Sequence, residues 1–235
     1  MNRRLLLLLL LLPLLTVAQN RKRKDYLVTL TTPYGPMRLV LYDQTPKHKE
    51  NFIKLVNQKF YDSLLFHRVI QSFMIQGGDP NSRKARPGES LGTGDIGYTV
   101  PAEIRPTLFH RRGVLAAARD NNPAKASSGS QFYIVQGKVC TEEELQKQID
   151  RSHTWVPERI FTDQQKQTYK TLGGTPLLDG SYTVFGEVID GLAVVDSIAK
   201  QPRDQQDRPR QDIRMTAAGD WVRKKKITKQ YNYKY

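Results

Sequence analysis

The sequence predicts a mainly β fold: a closed antiparallel β-barrel capped by two α-helices and interrupted by an inserted helical pair. Short runs of β-branched and apolar residues recur along the 235-residue chain, divided by turns rich in Gly, Pro and Asn. Only two helical stretches fall outside residues 138–176, and a sheet that closes on itself leaves no edge exposed. Within 138–176 the character changes to capped, polar helix.

In chain order, Tyr26 to Thr31 and Met37 to Tyr42 read as a hairpin turned at Thr32-Pro33-Tyr34-Gly35-Pro36. Thr45 then caps a helix with Pro46 at its first position, and Phe52, Leu55, Val56 and Phe60 form its apolar stripe. Phe66 to Asp79 follows as two short strand segments, broken at Gln71-Ser72 and closed by a turn at Gly77-Gly78. Alternation puts Arg68 on one face with Phe66 and Ile70, and His67 on the other with Leu65 and Val69. Met74 and Gln76 share a face one segment later. An arginine, an apolar floor and an amide could thus line one shallow groove. The same residues also read as a core strand pair whose arginine stem packs while its head reaches water.

Pro80 to Leu91 is a polar loop. Gly92-Thr93-Gly94-Asp95-Ile96-Gly97 matches the dinucleotide spacing G-x-G-x-x-G, but an apolar strand does not precede it and a helix does not follow, so it is read as loop. Gly113 to Ala118 is an extended run of small residues that something can approach closely, Arg119 to Ser130 is loop, and Gln131 to Val135 is a strand sending Gln131, Tyr133 and Val135 to one side. In the insertion, Thr141 and Glu144 form a capping box, Leu145 and Ile149 share a helix face, and a second helix runs from Asp163 to Leu172 before Gly173-Gly174. Trp155, Phe161, Tyr169 and Leu172 are expected to hold the pair down. Thr183 to Ile189 returns to strand, Leu192 to Lys200 is a short helix, and Asp212 to Trp221 is a last strand.

Thirty-seven basic residues against 23 acidic give a net charge of +14. The excess gathers at residues 21–24, 83–86 and 223–229, without the interleaved aromatics of a base-stacking surface, so no nucleic-acid partner is expected. Residues 1–18 read as a signal peptide: Arg3 and Arg4, a leucine run from Leu5 to Leu15 too short for a bilayer, and Thr16-Val17-Ala18 at the cleavage position. The basic stretch that follows resists translocation, which leaves an uncleaved leader as the alternative. The expected organisation is a basic linker at 19–25, one domain over 26–222 and a basic tail at 223–235. The mature chain is expected to be an exported monomer without a membrane span, in a periplasm, cell envelope or secretory lumen. A single cysteine, Cys140, excludes an intrachain disulfide. His48, His67, His110 and His153 lack metal-ligand spacing, and G-x-S-x-G is missing. Neither metal nor cofactor is expected.

Four segments together resemble the cyclophilin-type peptidyl-prolyl cis–trans isomerases: Phe66-His67-Arg68-Val69-Ile70, Phe73-Met74-Ile75-Gln76-Gly77-Gly78-Asp79, Ser128-Gly129-Ser130-Gln131-Phe132-Tyr133-Ile134, and Leu178-Asp179-Gly180 leading to Val184-Phe185-Gly186. The resemblance runs from about Tyr26 to Trp221, the insertion excepted. It implies an eight-stranded antiparallel barrel with two closing helices and an active groove on the outer wall. It places the catalytic arginine at Arg68 and the proline pocket at Phe73, Met74, Tyr133 and Leu178, with Tyr133 where Phe is usual. It places the substrate-backbone contacts at Gln76, Gln131 and the main chain of Ala118 and Arg119, the last where Asn is common. Leu177 stands where many members carry Trp and Tyr182 where many carry His, which implies weak cyclosporin binding with catalysis retained. The implied partners are proline-containing polypeptide clients.

The chemistry is consistent with a chain that lacks a triad. Rotation about an X–Pro bond breaks amide conjugation, a barrier of about 18–20 kcal/mol, and needs no nucleophile. As the bond twists, the proline nitrogen becomes a hydrogen-bond acceptor, and a fixed donor aimed at it stabilises the twisted state over both planar isomers. Arg68 can be that donor, provided that no carboxylate locks it away. Two other classes remain open: a binding module that grips proline segments without turnover, and polyanion binding by the tails.

Overall fold

The computed structural model describes residues 23–235; the signal-peptide expectation lies outside these residues. Ten strands and five α-helices are formed among them. Strands β1 (Lys24–Thr32), β2 (Gly35–Leu41), β3 (Phe66–Ile70), β4 (Met74–Gly77), β6 (Val114–Ala117), β8 (Phe132–Val135), β9 (Val184–Asp190) and β10 (Thr216–Arg223) make one antiparallel eight-stranded sheet of order β10-β1-β2-β9-β6-β8-β4-β3. A separate two-stranded ribbon pairs β5 (Thr99–Val100) with β7 (Ser127–Ser128).

The expected closed barrel is instead an open, curled sheet, because no ladder joins β3 to β10. The chain before β10 is spent on the loop from 201 to 215, so the final strand starts at Thr216 rather than Asp212. Only a short seam spans the gap: Ser63 N–H donates to Met215 O at 2.9 Å, Met215 N–H to Leu64 O at 2.8 Å, and Phe66 N–H to Ile213 O at 2.9 Å.

The concave side holds a solid apolar core, including Val28, Leu30, Leu39, Phe66, Val69, Ile75, Phe132 and Phe185. Helix α1 (Pro46–Asn57) lays Phe52, Leu55 and Val56 onto it, as the apolar spacing predicts. Thr45 occupies the cap position, but its hydroxyl makes no capping bond. The carboxylate of Glu103 accepts from Lys47 N–H at 3.1 Å and His48 N–H at 3.0 Å instead, a cap supplied from a distant loop. Helix α4 (Leu192–Ala199) adds Val195 and Ile198 to the same core.

One strand departs from simple alternation. The β3–β4 register shifts between Phe66 and Arg68, so a bulge at His67 turns Phe66 into the core while Arg68 and Ile70 face outward. Phe66 therefore does not share a face with Arg68, as strict alternation would have it.

The insertion forms α2 (Glu142–His153) and α3 (Asp163–Thr171), each opened by a capping box, Thr141 with Glu144 and Thr162 with Gln165. Cys140, Leu145, Ile149, Phe161 and Tyr169 give it a small core of its own. Trp155 and Leu172 were expected in that core, but the turn geometry leaves them exposed. The two ends of the insertion meet at Gly137 and Gly174. A Cβ on Gly137 would lie 2.5 Å from the Gly174 Cα, so this neck closes only without side chains. Within the basic 223–235 stretch, Lys224–Tyr231 is helical (α5) and anchored by fully buried Ile227. No helix among the described residues is long and apolar enough to cross a membrane.

Candidate active site

On the convex side of the sheet, ladder partners form a row. Arg68 lies opposite Gln76, Gln76 opposite Tyr133, Tyr133 opposite Ala116, and Ala116 opposite Val184. Directly opposed residues of an antiparallel ladder point to the same side, so the row shares one surface. A second row beside it runs from Ile70 through Met74 to Val135. Together they build an apolar cluster separate from the interior core, in which Met74, Ala118, Tyr133 and Leu178 are buried and Phe73, Ile70 and Tyr182 half-buried. Phe73 reaches it from the tight turn after β3, whose carbonyl accepts from Gln136 N–H at 3.0 Å and Gly137 N–H at 2.9 Å. Leu178 arrives on a 3-10 turn, Pro176–Leu178.

The Arg68 side chain is 40% exposed at the edge of this cluster. Its Nε lies 3.4 Å from one carboxylate oxygen of Asp207, whose other oxygen lies 3.4 Å from Arg203 Nε. The carboxylate is thus shared between two cations through single contacts, and the terminal guanidinium nitrogens of Arg68 have no hydrogen-bond partner among the described residues. Asp207 is held in place by its backbone, which accepts from Val69 N–H at 2.9 Å.

The amides are more tightly fixed. Gln76 Nε2 donates to Gln131 Oε1 at 3.1 Å, and Gln131 Nε2 donates to Gly92 O at 2.9 Å and Gly94 O at 3.0 Å. The G-x-G-x-x-G segment is therefore a buttress for Gln131. Its own anchor is Asp79, which accepts from Gly92 N–H at 2.5 Å and leaves no room for a Cβ at Gly94. A cavity of about 100 Å³ opens between Gln76, Gln131, Gly94 and Arg119. The main chain of Ala118 is already engaged: its N–H donates to Gln131 O at 3.0 Å and its carbonyl accepts from Ser128 N–H at 2.8 Å. The N–H and C=O of Arg119 meet no hydrogen-bond partner among the described residues, so the open main-chain groups at this rim are those of Arg119. Its side chain is occupied elsewhere, with Nε donating to Ser181 O at 2.9 Å and the guanidinium 4.8 Å from the Tyr182 ring centre.

Tyr133 carries a hydroxyl into a buried chain of polar groups. His110 Nε2 lies 2.9 Å from the Tyr133 hydroxyl and His110 Nδ1 lies 2.8 Å from Asp179. The second oxygen of Asp179 accepts from the Tyr169 hydroxyl at 2.8 Å, and Arg159 Nη2 approaches it to 3.3 Å. Burial, then Tyr182 and Asp179, hold the Tyr133 phenol well above its ordinary pKa, so it stays a neutral donor. This chain ties the floor of the apolar cluster to the insertion, from which Tyr169 and Arg159 come.

Of the residues singled out from sequence, Arg68, Phe73, Met74, Gln76, Ala118, Arg119, Gln131, Tyr133, Leu178 and Tyr182 gather on this one surface. Leu177 shares the 3-10 turn with Leu178 but does not join the apolar cluster. Asp207, His110, Asp179 and the Gly92–Gly94 carbonyls were missed. Asp179 and the Gly92–Gly94 segment lay inside quoted motifs, whereas Asp207 and His110 are joined to the site only by folding.

The sequence model for the family described as "Cyclophilin type peptidyl-prolyl cis-trans isomerase/CLD" matches residues 27–220. A putative peptidyl-prolyl cis-trans isomerase of Staphylococcus haemolyticus is 37% identical over 187 residues, covering 79% of this chain and 86% of that one. A putative bifunctional phosphatase/peptidyl-prolyl cis-trans isomerase of Streptococcus pyogenes is 36% identical over 190 residues, of which the match spans only 37% of the relative's length. Among solved structures, a cyclophilin-type isomerase of Cryptosporidium parvum superposes with a TM-score of 0.59 at 26% identity, covering 84% of this chain and 98% of that one. With its curled eight-stranded sheet, its outer-face apolar cluster and these relatives, the chain belongs to the cyclophilin-type peptidyl-prolyl cis–trans isomerase family.

Proposed function

We propose that this isomerase turns over X–Pro bonds of exported or unfolded polypeptides at the convex groove, with Arg68 as the catalytic hydrogen-bond donor. The observation that carries the reading is the row Arg68–Gln76–Tyr133 beside the apolar cluster of Phe73, Met74, Tyr133 and Leu178. The pyrrolidine ring would sit in that cluster. The open main-chain N–H and C=O of Arg119 would hold the peptide in an extended conformation, with Gln76 and Gln131 bracing it.

Planar prolyl nitrogen accepts hydrogen bonds poorly; pyramidal nitrogen accepts them well. A guanidinium fixed beside the ring therefore stabilises the twisted bond selectively, as rate enhancement requires. Removing one such preorganised donor costs on the order of 10²–10³ in rate, about 3–4 kcal/mol. The Asp207 contact does not neutralise this role: it uses Nε through a single 3.4 Å approach, and exposed pairs of this kind are worth about 0–1 kcal/mol. Asp207 is better placed to orient Arg68 than to sequester it. The test is turnover of a short prolyl peptide by wild type and Arg68→Ala, with circular dichroism as the folding control. Arg68→Ala is expected to lose about a hundredfold or more in kcat/KM with an unchanged spectrum; near-normal turnover would remove Arg68 from the chemistry.

A further inference from the structure

The apolar cluster does not end at Tyr182. Beyond that ring lies a cleft of about 640 Å³, whose walls include Arg119, Pro123, Lys125, Trp155 and Tyr182. Tyr182 belongs to both spaces: its ring meets Tyr133 edge-on at 5.9 Å on one side and lines the cleft on the other. The cleft therefore adjoins the place assigned to the proline ring, with Tyr182 as the shared wall.

Two features of this cleft bear on what it could hold. Trp155, in the turn after α2, is 56% exposed although the insertion has a core of its own into which Phe161 and Tyr169 fold. An indole left in water at the mouth of a cleft is apolar surface without a partner. The cations are the second feature. Arg119 donates to the carbonyls of Ser181 and Asp120, and Lys125 Nζ donates to Gly180 O at 3.0 Å. Both meet neutral oxygens, and neither forms an ion pair with a carboxylate among the described residues. They add to the positive charge of a chain whose net charge is +14.

We infer that the inserted helical pair builds a second wall onto the groove, and that the Trp155–Tyr182–Lys125–Arg119 cleft grips the client segment next to the proline, favouring an acidic residue adjoining an apolar or aromatic one. This rests on the groove reading above and extends it from the prolyl bond to its neighbours. The indole and phenol rings take the apolar side chain, and Lys125 with the free edge of Arg119 takes the carboxylate. Exposed contacts of this strength change affinity a few-fold each and weaken with salt.

The test uses the full protein and a series of prolyl peptides: a minimal Gly-flanked Ala-Pro core, and the same core extended on either side by Glu-Leu or by Lys-Leu. The Glu-Leu extension on one side of the proline is expected to lower KM by about three- to tenfold relative to Lys-Leu, with kcat unchanged. Trp155→Ala should abolish that gain and Lys125→Glu should reverse it in favour of Lys-Leu, while both keep wild-type turnover of the minimal core. In a Trp221→Phe background, Trp155 is the sole tryptophan, and its emission should shift on binding Glu-Leu peptide and not the minimal core. Equal KM for acidic and basic extensions, or a gain that survives both substitutions, overturns the inference. Arg68→Ala separates the two readings, because it should lose turnover and keep the emission shift. Turnover unchanged in Arg68→Ala would count against the arginine's role and leave the cleft standing.

Discussion

Asp207 is the residue that most alters how the groove works. It reaches Arg68 from the loop before β10, and its backbone adopts a left-handed φ of 64°, which only a locally fixed turn sustains. If the carboxylate orients the guanidinium, Asp207→Asn should lower kcat by less than about tenfold and leave KM unchanged, far short of the Arg68→Ala loss. A kcat equal to or above that of wild type would show that Asp207 restrains Arg68 instead. His67, one position before Arg68, has a different consequence. It is buried, its ring nitrogens lack hydrogen-bond partners among the described residues, and burial lowers its pKa from 6.5 to about 4 against the opposing pull of Asp79. Between pH 6.5 and about 4 the unfolded chain binds a proton that the folded chain does not. Stability is therefore full above that window and falls through it by up to roughly 3 kcal/mol. His67→Leu should remove this part of the acid loss, seen as a smaller difference between urea midpoints at about pH 7 and about pH 4.5; an identical difference in both proteins would disprove it. The role of Arg68's surroundings was only partly legible. Residue type and neighbours marked Arg68, Gln76 and Met74, but nothing near Asp207 in sequence tied it to a strand more than a hundred residues earlier.

At the scale of elements, the insertion is bound to the groove by one buried polar chain, Tyr133–His110–Asp179–Tyr169, with Arg159 alongside. Asp179 is almost wholly buried and accepts from three side chains and the His110 N–H. Asp179→Asn replaces one acceptor by a donor facing other donors, so urea unfolding should register a loss of about 3–5 kcal/mol. Tyr169→Phe removes a single bond and should cost about 1–2 kcal/mol. Losses below 0.5 kcal/mol in both would mean that the chain does not couple the insertion to the sheet. The helices of the insertion were readable because capping boxes and apolar spacing are local. What those helices do was not, since Tyr169 and Trp155 look alike in a sequence: one folds into the small core and the other stays in water. The cap of α1 failed for the same reason, Glu103 being a partner 55 residues away from His48. The bulge at His67 is likewise set by pairing with β4 and not by the residues of β3 alone.

For the whole molecule, the class and strand sequence follow from alternation and turns, but closure does not, because a seam is a relation between the two ends of the sheet. Here it consists of three backbone hydrogen bonds between residues 63–66 and 213–215. Behind it, β10 pairs with β1 along its full length, from Lys24 opposite Arg223 to Thr31 opposite Thr216. A chain ending at Met215 would bare that edge of β1 and lose the α5 anchor Ile227 with it. It should aggregate or give a disordered spectrum, and a peptide of residues 216–235 supplied in trans should restore turnover; a soluble, active truncation would show that β10 is dispensable. The arrangement also sets when the sheet can be completed. The first strand is flanked by β2 and by β10, so during translation it waits with one side unpaired until residues 216–223 have left the ribosome. The sheet that carries the groove is thereby finished only when both ends of the matched domain have been made.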